Sequence, residues 1–284
     1  MTNKELVILD TDIGSDVDDA LALVFCLRNQ KIRLLGVTTV YGPVVCRSMK
    51  ALTLMEALSI NNVPVISGYS RPLSRKHIWV TGYECLGLKN SLRLRIKNLS
   101  VVAFMRSKIM ANPNKVTIIS IAPLTNIAKL FIKYPEVIRK INKLVIMGGE
   151  LNNDDISQTR EHNFSSDIEA AKIVINSGVR IVQVPCEVTR QTAMTHDDML
   201  LLNNNNSSLG KLLNKWTNQW LTFTKTFPKD SIYRNKVYLH DPLTVHFALR
   251  NTFNFIQKKN IRMCVSVNVN KFKKEFFQCL LIKI

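Results

Sequence analysis

Leu6-Val-Ile-Leu-Asp10-Thr-Asp12-Ile-Gly14-Ser-Asp16-Val-Asp18-Asp19 passes from an apolar run to an acidic one within fourteen residues. Leu6–Leu9 has the length and composition of a short buried strand, and Asp19–Arg28 has helical periodicity. Between them, five aspartates fall within the ten residues Asp10–Asp19. Carboxylates this close repel one another, so a folded chain needs a compensating cation there. A set of oxygen-only ligands points to Ca²⁺ or Mg²⁺ rather than zinc. Gly14 lets the backbone turn tightly beneath such an ion. Capping of the following helix accounts for Asp18 or Asp19, but not for five acids. An EF-hand is excluded, because its sixth and twelfth loop positions require Gly and Glu, and Ser15 and Leu21 stand there.

Outward from this stretch, strand-like and helix-like runs alternate. Ile32–Val40, Val63–Ile66, Val116–Ile121, Leu144–Met147 and Ile181–Val184 are strand candidates. Val44–Leu58, Leu99–Met110, Thr125–Ile132, Asp167–Asn176, Ser208–Phe223 and Pro242–Leu249 are helix candidates. The alternation predicts an α/β fold with a mostly parallel central sheet of about seven or more strands and flanking helices. Ligands of such folds sit beyond the carboxyl ends of the strands, and the polar turns of this chain follow its strands. The long polar loops Glu150–Asn163 and Lys225–Tyr238 are candidate substrate lids.

The 284 residues suit one large α/β domain, and 46% hydrophobic content suffices for a sizeable core. No apolar run approaches the roughly 20 residues of a membrane span. The first residues lack the apolar centre of a signal peptide, which suggests a cytoplasmic protein. Six cysteines without a CxxC pair argue against a zinc site or a disulfide framework and for reduced thiols. The net charge of +18 is uneven: Cys85–Pro135 holds nine Lys and Arg and no acid, and Gln257–Ile284 holds seven against Glu275 alone. Neither stretch interleaves aromatics as a stacking platform does, so a solvated basic surface is the better reading than a nucleic-acid site.

Two enzyme classes place Asp-x-Asp directly after a strand. Haloacid-dehalogenase-type phosphatases usually carry Thr or Val two residues past the second aspartate, where this chain has Gly14. Nucleoside hydrolases open with a run resembling Asp-x-Asp-x-Gly-x-Asp-Asp, and Asp10–Asp19 resembles a slightly longer form of it. Val37-Thr-Thr-Val-Tyr-Gly42, Ile121-Ala-Pro-Leu-Thr-Asn-Ile-Ala128, Met147-Gly-Gly149, Glu161-His-Asn163 with Asp167-Ile-Glu-Ala-Ala171, and His240-Asp-Pro242 resemble further motifs of that family, in family order. On this set the chain is identified as similar to the inosine-uridine preferring nucleoside hydrolases, as a single domain over 1–284 with an atypical C-terminal end.

The resemblance implies an enzyme that cleaves the N-glycosidic bond of a small-molecule ribonucleoside with water. It implies Ca²⁺ held by Asp12, Asp19, Asp241 and the backbone carbonyl of Ile121. It makes Asp12 the general base, and Asp18, Glu161 and Asn163 the groups that hold the sugar. His240 becomes the donor to the leaving base, while His77, His162, His196 and His246 are read as structural. A homodimer or homotetramer is also implied. The chain departs from the family pattern at Pro43, Tyr83, Cys85 and the tail Phe272–Ile284. A phosphatase, and a non-catalytic relative that binds a nucleoside or nucleic acid through its basic surface, stand as rival readings.

Overall fold

The computed structural model describes residues 4–153, 155–203, 205, 207–250 and 253–281. Its elements are β1 (Glu5–Thr11), α1 (Asp18–Arg28), β2 (Ile32–Thr39), α2 (Val44–Ala57), β3 (Val65–Ser67), α3 (Val101–Ala111), β4 (Val116–Ile121), α4 (Thr125–Lys133) and β5 (Lys143–Met147). There follow α5 (His162–Ser166), α6 (Ile168–Ile175), β6 (Ile181–Val184), α7 (Cys186–Thr189), α8 (His196–Asn203), α9 (Ser208–Thr224), α10 (His240–Ala248), β7 (Phe255–Lys258), β8 (Ile261–Cys264) and α11 (Val269–Leu281).

The strands form one eight-stranded sheet in the order β3-β2-β1-β4-β5-β6-β8-β7. All neighbours pair in parallel except β7, which is antiparallel to β8 at the edge. The expected α/β architecture is therefore present. Alternate residues of the central strands feed two cores, as the period of a strand requires. Val7, Leu9, Ile119 and Val145 join the core that α1, α2 and α10 cover. Ile8, Ile118, Leu144 and Ile146 join the one that α3, α4 and α6 cover. Burial on both faces explains why these strands read as near-continuous apolar runs.

The strand order reverses beside β1: β2 lies on one side and β4 on the other. The reversal opens a crevice at the carboxyl ends of β1 and β4. Asp12 and Ile121 stand at those two ends.

In the C-terminal part, from His240 onward, three features depart from what the sequence led one to expect. α10 begins two residues earlier than the periodicity indicated, which puts His240 and Asp241 in its first turn. The β7–β8 hairpin extends the sheet beyond β6, with Lys259 at φ 54° in its turn. The tail forms α11, which buries Phe272, Phe276 and Leu280 at helical spacing; residues 282–284 of that tail lie outside the described residues. Phe276 meets Phe25 of α1 edge-on at 5.5 Å and stacks on Phe272 at 5.9 Å. Removing such a ring leaves a cavity, so Phe276→Ala is expected to cost about 3–5 kcal/mol in denaturant unfolding. A loss under roughly 1 kcal/mol would show that α11 adds little to the core.

Candidate active site

The acidic stretch divides into one structural aspartate and a cluster that faces the crevice. Asp10, inside β1, is fully buried and accepts hydrogen bonds from Thr38 Oγ1 at 2.5 Å and Asn126 Nδ2 at 2.7 Å. It thereby ties β1 to β2 and α4. Burial pushes its carboxyl up to about 7, against the effect of those two donors.

Asp18 and Asp19 occupy the first turn of α1, and Asp241 the first turn of the adjacent α10. One oxygen of each lies within 4.8 Å of the other two. They are only 4%, 5% and 4% exposed, and Asp12 beside them 7%. All three are driven well above the usual carboxylate range, first by burial and then by neighbouring carboxylates. Asp16 is pushed up to about 8, again chiefly by burial. Thr11 Oγ1 donates to Asp19, and the Asp19 backbone N–H donates to Asp18 Oδ1 at 3.1 Å. Among the described residues no basic side chain forms an ion pair with Asp18, Asp19 or Asp241. Converging hard oxygens without a cationic partner fit a divalent cation of the Ca²⁺ or Mg²⁺ kind. Asp12 lines the same crevice but stands outside this closest triple.

Two buried cations brace the loop from behind. Arg47 donates to Tyr41 O at 2.7 Å, to Ile13 O at 3.2 Å and to Ser15 Oγ at 3.4 Å. Lys50 lies over the rings of Trp216 and Tyr83, at 4.9 and 5.6 Å. Desolvation lowers its ammonium to about 8.

The opposite wall follows β5. Gly149 has φ 74°, and a Cβ there would meet Gln183 at 2.5 Å, so the turn after the strand requires glycine. Glu161 then caps α5, accepting from Asn163 N at 2.8 Å, Phe164 N at 3.0 Å and Gly149 N at 2.9 Å. Burial pushes it up to about 7 despite these donors. Asn163 Nδ2 donates to Met147 O at 3.2 Å. His240 stacks on Tyr238 at 5.1 Å, and its Nδ1 lies 2.6 Å from Thr189 Oγ1. Burial, reinforced by Arg190, lowers its imidazole to about 3, which leaves it neutral at pH 7.

Asp12, Asp18, Asp19, Ile121, Glu161, Asn163, His240 and Asp241 all line one cavity of about 510 Å³. Asp16 of the acidic stretch, His77 and His162 line it too, as do Lys76, Trp79, Arg160 and Tyr233, which sequence reasoning did not single out. His77 and His162, read as structural, thus face the cavity, and His162 Nε2 lies 4.0 Å from Asp12 Oδ2. The two long loops contribute Arg160 and Glu161 on one side, Phe227 and Tyr233 on the other.

The expectation that all cysteines are reduced is corrected. Cys46 and Cys85, 39 residues apart, form a disulfide, while Cys26, Cys186, Cys264 and Cys279 are free and buried. The bridge fastens the first turn of α2 to the segment that carries Tyr83 and Glu84. Tyr83 OH donates to Ser15 O at 2.6 Å, and Glu84 Oε1 accepts from Ser15 Oγ at 2.9 Å. Spacing alone gave no sign of a pair that only the folded chain brings together. Among the described residues no helix is long and apolar enough to cross a membrane.

The buried acids make the stability of the metal-free protein depend on pH. Their folded-state pKa values are raised, so the folded chain binds more protons than the unfolded one, and stability falls as pH rises through those values. Above roughly pH 6.5 an unfolded histidine is already neutral, so the lowered imidazoles no longer oppose this slope. In chelator, melting temperature is expected to fall between about pH 6.5 and about 8, the value to which Asp16 is raised. Excess Ca²⁺ should flatten that fall. A melting temperature that rises across the window in chelator would contradict the assignment.

Comparison with known proteins agrees with the geometry. Residues 7–275 match the family described as inosine-uridine preferring nucleoside hydrolase. Uridine nucleosidase 1 of Arabidopsis thaliana is 32% identical over 270 residues, covering 90% of this chain and 77% of the relative. The purine-preferring ribonucleoside hydrolase from Gardnerella vaginalis superposes with a TM-score of 0.84 at 26% identity, over 97% of this chain and 98% of that one. A plant nucleoside hydrolase superposes with a TM-score of 0.85 at 24% identity, over 98% and 99% of the two chains.

Proposed function

The chain belongs to the inosine-uridine preferring nucleoside hydrolase family, and on that premise we propose that it splits ribonucleosides into free base and ribose with a Ca²⁺-assisted water. It is an N-glycosidic-bond hydrolase by family. The observation that carries the finer reading is the convergence of eight motif residues on one cavity, with three buried carboxylates facing one another.

Asp12, Asp19, Asp241 and the carbonyl of Ile121 would hold the ion, and Asp18 lies close enough to share in the site. A bound divalent ion supplies Lewis-acid activation of water and an anchor for vicinal hydroxyls. Asp12 accepts the proton of the attacking water. Asp18, Glu161 and Asn163 hold the ribose while positive charge develops along the C1′–ring oxygen bond, as in glycoside hydrolysis generally. In the tautomer in which Thr189 Oγ1 turns its proton to His240 Nδ1 instead of to Cys186 O, the neutral ring carries its proton on Nε2, the nitrogen that would meet the leaving base. A neutral imidazole in that tautomer acts as a hydrogen-bond donor to the departing nitrogen.

The phosphatase alternative loses support, because Asp10, its nucleophile, is absent from the cavity lining and is held by Thr38 and Asn126. The Cys46–Cys85 bridge favours an oxidising compartment over the cytoplasm suggested by the N-terminal residues.

A reducing-sugar assay on uridine and inosine, with and without chelator, tests the activity. Asp12→Asn keeps the shape of the side chain and is expected to lower kcat by at least roughly 10²–10⁴-fold on every riboside, the value of lost base catalysis. His240→Ala is expected to lose activity strongly on inosine and little on p-nitrophenyl riboside, whose leaving group needs no donor. If both variants lose activity in the same proportion on both substrates, the division of roles is wrong.

A further inference from the structure

The cavity is anionic at its floor and cationic at its mouth. Lys76 and Arg160 both line it and are both exposed. Lys76 Nζ makes one hydrogen bond, to Ser165 O at 3.3 Å. The Arg160 guanidinium has no hydrogen-bond partner among the described residues, although its backbone N–H donates to Glu150 Oε1 at 3.3 Å. Among the described residues neither forms an ion pair with a carboxylate. Most other cations near the site are engaged: Arg47 with loop carbonyls, Lys50 with two rings, Arg190 with Tyr233. Two cations that have no carboxylate partner among the described residues thus line a pocket whose other charged lining groups are mostly acids.

Their place matters more than their number. Under the reading of the site above, the base lies against His240, the diol faces the acidic floor, and Glu161 and Asn163 hold the sugar. The 5′-carbon then leaves the ring on the Glu161–Asn163 side. Arg160 precedes Glu161 in the chain, and Ser165, the partner of Lys76, follows Asn163 by two residues. A neutral 5′-hydroxyl has no use for two cations, whereas a phosphate there meets a bidentate guanidinium and an ammonium at once.

We propose that this site also accepts nucleoside 5′-monophosphates, with Lys76 and Arg160 as the phosphate-recognising pair. The reaction is the same hydrolysis. The oxygen of water bonds to C1′, the C1′–N bond breaks with its electron pair going to the base, and the base gains the proton that water loses. The products are free base and ribose 5-phosphate. This inference rests on the nucleosidase reading, and its test separates the two.

The intact protein, supplied with Ca²⁺, is assayed for reducing-sugar release from uridine and from uridine 5′-monophosphate. Hydrolysis of both is expected. K76A/R160A should lower kcat/KM for the monophosphate by about tenfold or more, the value of lost charge-assisted bonds, and change that for uridine less than about threefold. Because both side chains are exposed, turnover of uridine also reports that the variant has folded. Added salt should weaken the monophosphate reaction selectively. Turnover of uridine without turnover of the monophosphate overturns this inference alone. Equal loss on both substrates in K76A/R160A overturns the assignment of the pair. Release from neither substrate overturns the nucleosidase reading and this inference with it.

Discussion

Several buried carboxylates share one desolvated crevice, and the rest of the structure is arranged around that repulsion. The Asp18, Asp19 and Asp241 oxygens lie within 4.8 Å of one another, and two full charges at that limit repel by roughly 3 kcal/mol at an effective dielectric of about 20. Three such pairs approach the entire stability of a typical domain, about 5–15 kcal/mol. The fold can carry that arrangement only by keeping protons on the acids or by holding a cation among them. The first gives a protein of limited stability at neutral pH. The second converts the same repulsion into ion affinity, because what destabilises the empty site is what the ion relieves.

The site lies where the topology allows it. β1 sits in the middle of the sheet, and the order reverses between it and β4, so the turns after these strands diverge and leave a crevice. Helices α1 and α10 both begin there, α1 bringing Asp18 and Asp19 and α10 bringing Asp241 in its first turn. Arg47 and Lys50 add positive charge behind the loop without closing onto the carboxylates. The cavity lining combines the acidic cluster, the aromatic Tyr41, Trp79, Trp220, Phe227 and Tyr233, and the exposed Lys76 and Arg160. His240 stays neutral in this setting, because burial and Arg190 both oppose its protonation.

Much of this was legible in the sequence for identifiable reasons. β4 and β6 read correctly because strands buried on both faces are uninterrupted apolar runs. The acidic stretch and His240-Asp241, singled out by residue type and local order, meet at one cavity. α11 was missed because Lys271, Lys273, Lys274 and Glu275 break up the Phe272–Phe276–Leu280 stripe and mask its period. The Cys46–Cys85 bridge was missed because its partners meet only after α2 packs beside the segment before Leu86. Lys76 and Arg160 were passed over, and His77 and His162 read as structural, because isolated polar residues have no periodicity and only the folded cavity gives them a common face.

If the acidic floor is a divalent-cation site, calorimetric titration of Ca²⁺ into the chelated and desalted protein shows it most directly. Run at pH 7 in two buffers of different ionisation enthalpy, the titration also counts protons released. Carboxylates held protonated by burial and mutual repulsion must lose those protons when the ion binds. The expected result is saturable binding with net proton release, both abolished by Asp241→Asn in a variant that still melts cooperatively. Absence of saturable heat in the wild-type protein, or binding without proton release that Asp241→Asn leaves intact, would contradict it.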